Sequence, residues 1–336
     1  MRKTPKIIND PNKCASELLD GLVEAYDGEA RKVGSGSIVM NDLPEGKVAL
    51  LVGGGTGHEP IYHGLVGKNM ADAAACGDIF AAPPPNIVLE ATQAVDRGKG
   101  VMYLYGNYAG DVMNFDMGAE LADDEDIEVK TVLIWDDVAS APPERKEDRR
   151  GIAGLVLIVK IAGAAATTVD NLDELVRITT KARDNTRSVG VAVAAGSIPA
   201  TGAPTFELED GKMGVGMGIH GEKGVRIDDL CTADEMAPQL LDIIFGDDLE
   251  FGNDDEVVLF INSLGATTQM ELLIINRAIK PLLAAKGIKV YDTVIGDIVT
   301  CQEMAGLSIS LLKLDDELKK YWDMPCQSVG YSKMGS

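Results

Sequence analysis

The 336-residue sequence has no basic stretch: 31 Lys and Arg stand against 53 Asp and Glu, a formal net charge of −22. With no cationic face to neutralise phosphodiesters or anionic headgroups, neither nucleic acid nor a membrane surface is an expected partner. No apolar run approaches the ~18 residues of a membrane span, and the polar start at Arg2 and Lys3 is not followed by the apolar core of a secretion signal. Cysteine is sparse. Cys14, Cys76, Cys231, Cys301 and Cys326 are odd in number, scattered and never spaced C-x-x-C, which argues against a disulfide framework and against structural zinc. A reducing cytoplasm is the expected compartment. The sequence also lacks a G-x-x-x-x-G-K-[ST] loop for ATP and a G-x-S-x-G nucleophile elbow. His58, Glu59 and His63 spell H-E-x-x-x-H, one residue too long for the zinc-protease helix and broken by Pro60, so no metal site is expected. Gly216 to Gly221 fits G-x-G-x-x-G, but without a convincing strand before it the match is weak.

What is present centres on Val48 to Pro60, VALLVGGGTGHEP. Val48 to Val52 is a short continuous apolar run of the kind that fills a strand buried on both faces, and it delivers a glycine loop. Without Cβ atoms, Gly53, Gly54, Gly55 and Gly57 let the backbone approach a small polar ligand beyond the strand's carboxyl end, where open α/β sheets bind ligands. His58 is presented at that mouth. A second apolar run, Val101 to Tyr105, ends in Gly106-Asn107-Tyr108-Ala109-Gly110-Asp111, so two strands of one sheet carry glycine-rich loops, one with His58 and the other with Asp111.

Strands and helices alternate along the chain. Ala15 to Tyr26 has the apolar spacing of an amphipathic helix with Ser16 as its cap, and Asn86 to Val95 reads as a helix. Val129 to Trp135 reads as a strand, Gly151 to Ala166 and Leu172 to Arg183 as helices, and Asp184 to Ser188 as a polar break. Further on, Val189 to Ala194, Val257 to Ile261, Lys289 to Ile295 and Leu307 to Leu314 read as strands. Thr232 with Glu235 forms a capping box, and Pro281 is expected to kink or shorten its helix. The expected architecture is two α/β domains, each with a mainly parallel or mixed sheet flanked by helices: residues 1–183 with the glycine loop and Asp111, and 184–336 with His220.

Of three histidines, His58 and His220 sit in glycine-rich loops, where space is left for something to approach, whereas His63 is expected to be structural. A neutral imidazole nitrogen can add to a carbonyl, and a positioned carboxylate can accept a hydroxyl proton.

GGGTGHEP, CGDIFAAPPP, GNYAGDVMNF, the DDVA and RRGIAG pair, GMGIHGEKG and NSLGATTQMEL resemble, in order and over nearly the whole chain, the successive motifs of the dihydroxyacetone kinase K subunit family. The resemblance implies a two-domain α/β homodimer that binds a short-chain ketose as a hemiaminal on His220. By the same resemblance His58 is the acid/base histidine, Asp111 the catalytic aspartate, and Gly55, Thr56 and Gly57 the substrate-contacting loop. Dihydroxyacetone kinases of the family usually carry a lysine where this chain has Gly106, and the space it leaves suits a four-carbon ketose such as erythrulose. No cofactor is expected on this chain. The phosphate is expected from a separate L-type subunit holding ATP, or ADP recharged through a phosphocarrier protein of the phosphotransferase system, with Mg. The rival reading is a non-catalytic paralogue that senses the ketose and co-activates transcription; a sensor needs His220 but has no use for Asp111.

Overall fold

The computed structural model describes residues 5–335. Helix α1 (Cys14–Ala25) is followed by strands β1 (Ala30–Val33), β2 (Ser37–Met40), β3 (Ala49–Thr56), β4 (Gly67–Lys68) and β5 (Ala73–Ile79). Helix α2 (Pro85–Val95), strand β6 (Val101–Gly106), helix α3 (Ala109–Asp123), strand β7 (Val129–Ile134) and helices α4 (Gly154–Ala166) and α5 (Leu172–Asp184) come next. Then follow β8 (Thr186–Ala194), β9 (Lys212–Val215), β10 (Arg226–Asp229), α6 (Ala233–Phe245), β11 (Glu256–Ser263), α7 (Gln269–Ala285), β12 (Lys289–Gly296) and β13 (Ala305–Leu314). Helix α8 (Asp316–Trp322) and the short strands β14 (Cys326–Ser328) and β15 (Ser332–Lys333) end the order.

The chain divides into two bodies, and it passes between them more than once: residues 5–134, 156–182 and 317–335 make one, 135–155 and 183–316 the other. The passage at 182/183 falls beside the polar break at Asp184; the others have no linker composition to mark them. The first body holds the sheet β1-β2-β5-β3-β6-β7, in which β5, β3, β6 and β7 run parallel and β2 and β1 are antiparallel additions. The apolar run before the glycine loop lies between β5 and β6, and Leu50, Leu51 and Val52 are wholly buried, as a strand covered on both faces requires. The second body holds β10-β9-β8-β13-β11-β12, antiparallel except for the β11/β12 pair. These two sheets are thus mixed and flanked by helices, and β15-β14-β4 form a small antiparallel sheet in the first body. None of the described helices is long and apolar enough to cross a membrane.

Several local expectations change. Ser16 lies inside α1, where its hydroxyl donates to the Lys13 carbonyl, and Lys13 takes the cap position. Pro281 does not end α7, which runs on to Ala285. Strand β8 begins at Thr186, inside the polar break, because its polar residues are buried and paired: Ser188 Oγ meets Ser310 Oγ at 2.6 Å and Arg187 bonds Asp247 and Asp248. The capping box at Thr232 is present, and Thr268 with Glu271 forms a second one.

Candidate functional site

In the first body, β3 and β6 are adjacent and parallel, so their carboxyl ends, and the loops that follow, lie side by side. Thr56 ends β3 and its hydroxyl donates to the Gly77 carbonyl at 3.0 Å, tying the loop to β5. Gly57 has φ 101°, and a Cβ there would lie 2.6 Å from the Phe80 ring, so both conformation and space require glycine. Its N–H donates to Glu59 Oε1 at 2.7 Å; burial pushes the Glu59 carboxyl upward, and this bond pulls it back. The His58 ring is buried with its centroid 5.0 Å from that of Phe80, at a tilt of 49°. Phe80 leads into the three-proline segment, where Ala82 approaches Gly110 and the Pro83 carbonyl accepts from Asn114 Nδ2 at 3.0 Å. The segment 80–83 therefore bridges the His58 loop and the Asp111 helix.

Gly106 is the buried last residue of β6, and Asn107 N–H donates to the Ile134 carbonyl as the strand ends. Asp111 lies in the first turn of α3, a helix that the glycine-rich reading of this stretch had not foreseen. Acidic side chains are stabilising in a helix's first turn, at the positive end of its dipole. His63 belongs to the core: burial pushes its imidazole down to about 4.

His220 belongs to the second body, in the connection between β9 and β10. Its Nδ1 is 2.8 Å from Glu222 Oε1, and its backbone N–H donates to Oε2 of the same carboxylate at 2.9 Å. Burial pushes the Glu222 carboxyl upward, but the bond from His220 and its charge outweigh this and set it at about 2. An ionised carboxylate only accepts, so Nδ1 donates in this bond and the carboxylate fixes the orientation of the ring. Arg150 braces the loop: it donates through Nε to Asp137 at 3.0 Å and through an Nη to the Gly216 carbonyl at 2.9 Å, and it lies 3.9 Å from Glu222. A Cβ on Gly218 would strike both Glu222 and Arg150, so GMGIHGEKG needs glycine there to let the carboxylate reach the ring. Asp136 accepts the N–H groups of Ile152 and Gly154, which holds the RRGIAG turn at the start of α4. Arg150 and Glu222 were not singled out from sequence, although both lie inside its motifs.

On the sequence-based expectation that His220 captures a ketose, Glu222→Gln is expected to weaken that capture about 10- to 100-fold, since a charged hydrogen bond is worth about 1.5–3 kcal/mol, while Glu222→Asp restores part of it. Calorimetric titration of the variants with ketose reads the effect. Because this carboxyl is held below its ordinary 4.5, its contribution to stability is complete above that pH and is lost as the pH falls toward 2.

A Dak1 domain model matches residues 20–330. The chain is 41% identical to the PTS-dependent dihydroxyacetone kinase 2, dihydroxyacetone-binding subunit DhaK, of Listeria innocua, over 96% of this chain and 98% of that one. It is 40% identical to the L-erythrulose 1-kinase of Mycolicibacterium smegmatis, covering 97% of this chain but only 58% of that longer protein. Among solved structures, the dihydroxyacetone kinase operon co-activator Dha-DhaQ superposes with a TM-score of 0.89 at 28% identity, over 95% of this chain and 98% of that one.

Proposed function

From the premise that this chain belongs to the Dak1 domain family, we propose that it is the ketose-binding subunit of a dihydroxyacetone kinase-like phosphotransferase. The observation that carries this is the Glu222–His220 pair in a glycine-cleared loop, in which the carboxylate accepts from Nδ1 and orients the ring. In the proposed capture, Nε2 of the neutral imidazole attacks the ketose carbonyl, a C–N bond forms, the π pair moves to oxygen, and the oxygen takes up a proton while Nδ1 of the same ring gives its proton up, leaving a neutral hemiaminal. Polyols without a carbonyl are rejected by that step. Asp111 accepts the proton of the terminal hydroxyl as it attacks the transferring phosphoryl group, and His58 hydrogen-bonds the ketose and assists proton movement. Gly55, Thr56 and Gly57 line the ketose. The phosphoryl group comes from an L-type subunit carrying ATP with Mg, or ADP recharged by a phosphocarrier protein; the working unit is a cytoplasmic homodimer. A coupled assay of this chain with an L-type subunit, supplied with either donor, tests the proposal, and no ketose phosphate with either donor rejects it.

Likeness to the co-activator supports a second reading, a ketose sensor that acts on transcription. Asp111 separates the two, because only the enzyme uses its carboxylate.

Gly106 makes the substrate four carbons long in this proposal. A lysine there would fill one side of the pocket, and one further carbon in a fitted site is worth about 1–3 kcal/mol. Erythrulose is therefore expected to exceed dihydroxyacetone in kcat/KM by about 10-fold, with Gly106→Lys reversing or narrowing the ratio. A wild type that prefers dihydroxyacetone, or a ratio unmoved by the substitution, rejects the four-carbon assignment.

A further inference from the structure

Phe80 lies in CGDIFAAPPP, a motif to which the proposed function gives no part. Its backbone takes φ 58°, in the left-handed region where a bulky side chain is strained and glycine is not. Among the described residues, the aromatic ones with such a φ are Tyr62, at 65°, and Phe80. Both lay their rings where the glycine loop lacks a Cβ: one added to Gly54 would lie 2.7 Å from Tyr62 Cζ, and one added to Gly57 2.6 Å from Phe80 Cε1. The chain reversal at Phe80 is tied on both sides, since its N–H donates to the Thr56 carbonyl at 2.8 Å and Ala81 N–H donates to the Asp78 carbonyl at 3.0 Å. Glycine or asparagine would make the same reversal at lower cost. What Phe80 adds is a half-buried ring against His58.

We propose that Phe80 is a positioning residue for His58: its ring, carried on a strained turn and seated on Gly57, fixes the imidazole at the carboxyl end of β3. A histidine side chain turns about two torsions, and Gly54, Gly55 and Gly57 supply no side chains of their own to limit them. The Phe80 ring does, because its centroid lies within the 4.5–7 Å over which aromatic pairs hold a preferred arrangement. With His58 2% exposed and Phe80 on one face of it, a turn of the imidazole would have to displace that ring. Gly57 is thus cleared for Phe80, and the strain at Phe80 is retained for the sake of the ring it aims. The inference rests on the part that the proposed function gives to His58.

Thermal melting and turnover of the full chain with an L-type subunit, on dihydroxyacetone and on erythrulose, test it. Phe80→Ala and Phe80→Gly both delete the ring, but glycine alone relieves the strain, so the glycine variant is expected to melt above the alanine one. Both are expected to lose about 10- to 100-fold in kcat, whereas Phe80→Tyr keeps the ring and most of the turnover. In a His58→Asn background Phe80→Ala should cost less than about 3-fold more, because a residue that acts through His58 has nothing left to position. The inference is overturned by undiminished turnover in Phe80→Ala, by turnover that returns with stability in Phe80→Gly, by a glycine variant that melts no higher than the alanine one, or by a loss of equal size with and without His58. If His58→Asn itself keeps full turnover, the part given to His58 in the proposed function falls too.

Discussion

Replacing His220 by Asn is expected to lower ketose affinity by about 10³-fold or more, the equivalent of about 4 kcal/mol, without unfolding the protein. A three- or four-carbon ketose offers little apolar surface, and each hydrogen bond it makes contributes a net ~0.5–1.5 kcal/mol after competition with water. The proposed C–N bond is therefore the principal source of retention. Asn keeps polarity near Glu222 and Arg150 but offers no nucleophilic nitrogen lone pair. Since His220 lies in a loop and is partly exposed, the substitution opens no core cavity. Crystals of the wild type soaked with ketose should show unbroken density from the ring nitrogen to the ligand carbon. A ketose lying free of His220, or an Asn variant that binds as tightly as the wild type, rejects covalent capture.

The second large effect concerns Asp111. Asp111→Asn is expected to reduce phosphoryl transfer by about 10²- to 10⁴-fold while leaving ketose binding nearly unchanged, because the amide preserves shape and cannot accept the proton. The position in the first turn of α3 is one that acidic side chains commonly occupy. It also makes Asn a mild structural change, as Asn is tolerated at helix starts. Titration calorimetry reads binding, and turnover with the L-type subunit reads transfer. Equal turnover in the variant would remove Asp111 from the chemistry and favour the sensor reading.

The buried strands were legible in the sequence because an apolar run covered on both faces is a local signal. Their glycines read as loop, but β3 runs on through Gly53, Gly54 and Gly55 to Thr56, because these glycines pair with β5, and β6 includes Gly106; of the first glycine set only Gly57 lies beyond the strand. Helix α3 was hidden because its residues lack a clean apolar face: Met113 and Met117 are exposed while Phe115 and Gly118 are buried. Strand β8 was read as starting late because Arg187 and Ser188 look like solvent residues until distant Asp247 and Ser310 satisfy them.

By itself, the sequence determined the buried strands β3 and β6, the position of glycine at their carboxyl ends and the mixed α/β class. Each of these follows from short-range properties: side-chain volume, backbone freedom and the period of apolar residues. Only the tertiary structure decided that residues 135–155 join the second body, that Arg150 and Glu222 converge behind His220, and that β10 ends its sheet with Ile227 exposed. Such facts depend on pairings between residues far apart in the chain, and no local pattern specifies which buried charge or which strand edge will meet its partner.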